Sequence, residues 1–158
     1  MNKKTVRLNE ADLMKMIKES TKKYLNEEEE LEDTNDGVKG VDFLSRLEGY
    51  HIELKLIHWS TNNDSEHSLT DEIDKCVLGF EDEVAEILMG ITGTKISSGL
   101  DADKPNTKDL KELLSELERD VLEFIDEYEG DKSNRGLIKV CDDFLGEIKK
   151  FKFKETLN

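Results

Sequence analysis

The residues able to do chemistry are gathered in one stretch, Tyr50 to Glu86, which holds all three histidines and the single tryptophan. Within it lie His58 and Trp59, then His67 and Asp71, then Asp82 and Glu86. Imidazole and carboxylate are the donors that hold iron, zinc or manganese. The first question is whether helices can bring these groups to one point.

The apolar residues Val41, Phe43, Leu44, Leu47, Tyr50, Leu54 and Ile57 recur at a helical period, which predicts a helix leading into His58. The polar run Ser60 to Ser65 predicts a turn, with Asp64 or Ser65 capping the next helix. That helix is expected to run to about Met89 and stop at Gly90, burying Ile73, Val77, Phe80, Val84 and Leu88. At about 100° per residue, His67, Asp71, Asp82 and Glu86 share one arc of about 100° beside that apolar stripe. They flank the core, where a second chain can reach them.

At about 1.5 Å per residue, Asp71 and Asp82 are separated by roughly 16 Å along the helix. Metal–ligand bonds are only about 2 Å long, so one copy cannot wrap all four groups around one ion. His67 and Glu86 are centred on position 76.5, and so are Asp71 and Asp82. A two-fold axis beside Cys76 and Val77 would therefore set His67 and Asp71 of one chain against Asp82 and Glu86 of another. Closed two-fold dimers are the commonest oligomers.

The pattern His58-Trp59, His67-x-x-x-Asp71, Asp82-x-x-x-Glu86 resembles the mini-ferritins of the Dps family. The resemblance implies a ferroxidase site shared across a two-fold axis, with His58, His67 and Asp71 from one subunit and Asp82 and Glu86 from its neighbour. Trp59 would stand beside the site. It further implies oxidation of Fe(II), preferably by hydrogen peroxide, and storage of ferric mineral in a hollow dodecamer. The donor set also suits manganese or zinc.

A plainer account of the same residues stays open. Acids number 38 of 158 residues, so carboxylates at chosen positions come cheaply. His58 alone could be a core histidine. His51, two turns earlier on the same face, reads better as a core or interface histidine than as a ligand.

The elements that must carry the site follow from the rest of the chain. Thr107 is expected to cap a third helix with Leu110, Leu113, Leu114, Leu117, Val121, Phe124, Ile125 and Tyr128 inward, ended by Gly130. A fourth follows Ser133 or Asn134, with Leu137, Val140, Cys141, Phe144, Leu145, Ile148 and Phe151 inward. The stretch Phe151 to Lys154 alternates like a strand but is too short to be one. Between Gly90 and Asn106 lies a long connection, where the family carries a short extra helix and where Lys95 to Leu100 would be a weak version of it. The expected fold is all-α, a ferritin-like four-helix bundle over residues 41–158 with one long connection. The third and fourth helices hold no histidine, which excludes a di-iron bundle built on two Glu-x-x-His motifs.

Residues 1–25 are expected to form a separate amphipathic helix, capped by Asn9, with Leu13, Met16, Ile17 and Tyr24 on a narrow stripe. Seven basic residues against three acids give this segment a charge of +4, within a chain of −15. Its pattern VRL-x-E-x-x-L followed by IKES resembles an N-terminal segment of proteins from gut Bacteroidota and their phages. Residues 26–40 read as an acidic, solvated linker.

The acidic balance argues against a nucleic-acid-binding surface, since phosphate contacts need cations. It suits a protein that draws in metal ions. No apolar run is long enough for a membrane span. The N-terminus lacks a signal-peptide core, which predicts a cytoplasmic protein or one carried inside a phage particle. Cys76 and Cys141 are in no C-x-x-C motif and read as buried thiols in a reducing compartment. Two functions are carried forward: a Dps-like ferroxidase, and a non-enzymatic ferritin-like interaction protein targeted by its N-terminal segment.

Overall fold

A computed structural model describes residues 40–97, 100–102 and 109–157. The expected N-terminal helix (1–25) and the linker, apart from Gly40, lie outside the described residues, as does the expected cap Thr107. The described chain is all-helical, with four helices: α1 (Val41–Ser60), α2 (Asp64–Thr92), α3 (Leu110–Tyr128) and α4 (Arg135–Glu155). A single 3₁₀ turn (Lys132–Asn134) precedes α4. Among the described residues, no helix is long and apolar enough to cross a membrane.

Local chemistry sets the helix ends. Asn63 caps α2, its side chain accepting from the Ser65 N–H, one position before the expected cap. At the other end, α2 runs through Gly90 and closes at Thr92, with Gly93 left-handed and its N–H bonded to the Met89 carbonyl. An exposed glycine inside a long helix costs only about 1 kcal/mol, so Gly90 does not stop it. Asp109 caps α3, accepting from the Lys111 and Glu112 N–H groups. Lys95, Ile96 and Ser97 form no helix, and Ile96 and Leu100 lie against the core. Phe151 to Lys154 are the last turn of α4; Phe151 is buried and Phe153 faces outward.

Each helix buries one stripe, because apolar residues at three- and four-residue spacing line a single face. In α1 these are Phe43, Leu44, Leu47, Tyr50, Leu54 and Ile57. One aromatic layer joins all four helices. Phe43 of α1 stacks on Phe124 of α3 at 4.0 Å and meets Phe80 of α2 edge-on at 6.1 Å. Phe80 in turn stacks on Phe144 of α4 at 3.9 Å. Cys141 is buried, and burial pushes its thiol up to about 12. Cys76 is only half-buried, so just one of the two thiols is a core residue; both are free.

The direction of each helix follows from its end contacts. Glycine is required at Gly40, whose φ is +101° and where a Cβ would lie 2.9 Å from Leu88 and from the Tyr128 hydroxyl. The start of α1 therefore meets the ends of α2 and α3. At the opposite end, Lys154 of α4 bonds Glu72 near the start of α2 at 2.6 Å, and Lys152 pairs with Glu118 of α3. So α2 and α3 run parallel to each other and antiparallel to α1 and α4. α1 packs against α2 and α3, and α4 packs against the same two. The end of α2 and the start of α3 therefore lie at opposite ends of the bundle. At about 3.3 Å per residue, residues 93–109 reach about 55 Å, against about 29 Å for α3.

On the α1–α3 seam, the Tyr50 hydroxyl donates to buried Asp120 at 2.9 Å. Arg46 Nε stands 3.4 Å from the same carboxylate, close enough for charge attraction but not aligned as a hydrogen bond. Burial and then the Asp120 charge raise the Tyr50 pKa, so the phenol stays a donor. This seam holds polar side chains by mutual pairing and leaves the opposite α1–α2 seam to carry the histidines.

Candidate metal centre

The α1–α2 hairpin is antiparallel, and its short turn brings the end of α1 against the start of α2. This places His58 and His67 ring on ring, with centroids 3.6 Å apart and planes 27° apart. Asp71 joins them, its Oδ1 3.4 Å from His58 Nδ1. Both histidines are tied to backbone: His67 Nδ1 lies 3.1 Å from the His58 carbonyl, and His58 Nδ1 lies 3.1 Å from the His67 carbonyl. The His58 carbonyl belongs to the last turn of α1, where carbonyls have no helical partner, so the His67 ring satisfies a group the helix leaves open. Asn63, the Thr61–Glu66 hydrogen bond and the Thr61 contact to the Asn63 N–H brace the turn between them.

His67, Asp71, Asp82 and Glu86 are all exposed on α2. One chain brings His58, His67 and Asp71 together. Asp82 and Glu86 lie farther along α2, Asp82 about 16 Å from Asp71 by helical rise, and do not join them. Trp59 is 72% exposed at the end of α1, next in sequence to His58.

Among the described residues, no three His, Cys, Asp or Glu side chains of the single chain converge on a point that would hold a metal. In the stacked pair the two rings lie nearly parallel. Lone pairs in the planes of two nearly parallel rings point side by side, not at one another's target. One ring must turn for both to bind a single ion. The donor types themselves fit a borderline cation such as Fe(II).

Between the centre and the far end of the hairpin, His51 Nδ1 bonds Asp74 at 2.5 Å, both side chains mostly covered. Beside them, the Glu81 carboxyl is pushed up to about 7, first by burial, then by Glu48, with His51 pulling it back and Asp82 adding to the rise. A raised acid favours the folded state while protonated, and that contribution fades as pH climbs from about 4.5 through about 7. Glu81→Gln should therefore raise the urea midpoint at pH 8, by an amount that shrinks towards pH 4. A gain that is the same at both pH values would show that Glu81 titrates normally.

Two features of the site have no signal in the linear pattern. Thr70 is fully buried, and its hydroxyl lies 3.3 Å from His58 Nδ1. The His51–Asp74 pair likewise depends on how α1 and α2 are registered. Either would be found only once the hairpin register is fixed by the turn length.

No family model, no curated protein and no solved structure matches the chain.

Proposed function

We propose that the protein is a Dps-like mini-ferritin: a bundle of ferritin-like type that takes Fe(II) as substrate at centres shared between two copies and oxidises it. The observation that carries this reading is the corner where His58, His67 and Asp71 meet, on an outer face that also displays Asp82 and Glu86. The helix directions support it, since an antiparallel bundle whose second and third helices run parallel needs one long connection, as in ferritin-like bundles.

In this reading His58 and His67 supply nitrogen donors and Asp71 an oxygen donor, while Asp82 and Glu86 of a second copy complete the shell. The carboxylates favour the ferric product, because harder oxygen donors suit the more highly charged ion. Two Fe(II) give one electron each to hydrogen peroxide. Its O–O bond breaks, and two protons from solvent complete two waters. The net charge of −15 raises the local concentration of cations around the protein. The ferric product is stored within a homo-oligomer built on the two-fold contact, with the dodecamer of the family as the largest form. The protein is placed in the cytoplasm or inside a phage particle, and its N-terminal segment has no part in the chemistry.

The test is an anaerobic Fe(II) load followed by peroxide, with ferric product read by absorbance. His67→Ala with Asp71→Ala should slow oxidation to the rate of free Fe(II) in buffer. Equal traces for wild type and variant would sink the ferroxidase. They would favour the alternative, a non-enzymatic ferritin-like protein whose work is done by its surface and N-terminal segment.

A further inference from the structure

Three groups surround Nδ1 of His58: the His67 carbonyl oxygen at 3.1 Å, Thr70 Oγ1 at 3.3 Å and Asp71 Oδ1 at 3.4 Å. A carbonyl and a carboxylate can only accept. A hydroxyl can do either, but the Thr70 proton is already committed. Thr70 Oγ1 donates back along its own helix, to the Glu66 carbonyl at 3.0 Å or the His67 carbonyl at 2.9 Å. What it turns towards His58 is therefore a lone pair. All three neighbours accept, so in the neutral ring Nδ1 carries the proton and Nε2 keeps the lone pair.

The three acceptors are not equivalent. The Asp71 side chain is 55% exposed and free to swing towards a cation. Thr70 is wholly buried and fixed by its bond to the α2 backbone. Once Asp71 turns away to bind a metal, the backbone carbonyl and Thr70 alone remain to hold the His58 ring.

We infer that Thr70 is a positioning residue that holds His58 in its Nδ1–H form, so that Nε2 is the atom offered to the metal. The inference rests on the proposed reading only in taking His58 as a ligand. The Nδ1 of His67 faces the His58 carbonyl instead. The arrangement places on His58 the kind of hydrogen bond that fixes ring orientation in metal sites, where its loss typically weakens binding about 10- to 100-fold.

The test uses the full chain labelled with ¹⁵N at histidine, free of metal and at a pH where the rings are neutral. Nitrogen shifts and couplings report which ring atom holds the proton. Wild type should show Nδ1–H at His58. Thr70→Val, which keeps the shape and removes the hydroxyl, should raise the share of the Nε2–H tautomer at His58 and bind Co(II) about 10-fold more weakly. Thr70→Ser should restore both. An Nε2–H ring in the wild type would overturn the inference. So would an unchanged tautomer and Co(II) affinity in Thr70→Val, or a Thr70→Ser chain as defective as Thr70→Val. If the tautomer and Co(II) results hold while the wild type fails to oxidise Fe(II), the ferroxidase falls and the role of Thr70 stands.

Discussion

A chain carrying His67→Ala and Asp71→Ala, co-expressed with one carrying Asp82→Ala and Glu86→Ala, is expected to recover about a quarter of the wild-type rate of Fe(II) oxidation. Each variant alone should be inactive. Random pairing makes about half of the two-fold contacts mixed. Each mixed contact holds one centre with every ligand and one that has lost both sets, so one centre in four is whole. Few other arrangements give this result. If all the ligands came from one chain, no pairing could restore activity. If Asp82 and Glu86 had no part, the second variant would be active by itself. The geometry behind the prediction is the separation along α2: His67 and Asp71 lie in its first turns, Asp82 and Glu86 in its later ones, and all four are exposed. The measurement is the initial rate of ferric absorbance, with the proportion of the two chains in the preparation established by mass spectrometry.

Replacing Phe43 by alanine should cost roughly 3–5 kcal/mol of folding stability, the usual range for emptying a buried phenylalanine site. The upper part of that range is expected here. Phe43 is 1% exposed and, like Phe80, touches aromatic partners on two other helices. Its removal takes away a stacked pair with Phe124 and an edge contact with Phe80, and it leaves a cavity bounded by α1, α2 and α3. Domains of this size are commonly stable by about 5–15 kcal/mol, so the loss is a large share of the total. Urea unfolding followed by circular dichroism at 222 nm gives the value. A change under about 1 kcal/mol would mean that the layer repacks around the gap.

Much of this structure could be read from residue order. Stripes such as Leu113, Leu117, Val121 and Phe124 repeat with the helix itself, so the four helices and their inward faces follow from spacing alone. Caps were less legible. Asn63, Asp64 and Ser65 are all competent caps, and only backbone geometry at Asn63 decides among them. Gly90 looked like a stop, yet its neighbours continue the helical pattern and its cost is small beside the burial of Leu88. At the candidate site, His58, His67 and Asp71 stood out because their types are scarce or chemically apt. Thr70 did not, because a threonine within a helix is usually a spacer or a back-bonded hydroxyl. Its value to His58 comes from a contact across the hairpin, 12 positions away in the chain. Such contacts are set by the three-dimensional register, which no local pattern encodes.

The placement of Trp59 decides what light can report about this protein. It is the sole tryptophan and is already 72% exposed in the folded chain. Unfolding changes its surroundings little, so the wavelength of its emission is a poor gauge of whether the bundle is intact. The indole instead sits at the tip of α1, one residue from His58, far along the helix from the aromatic layer at Phe43. Quenching of its emission is therefore a local signal. A paramagnetic ion or a second chain arriving at that corner dims or shifts the fluorescence while the helical spectrum stays constant, and the two optical readings separate occupancy from folding in one sample.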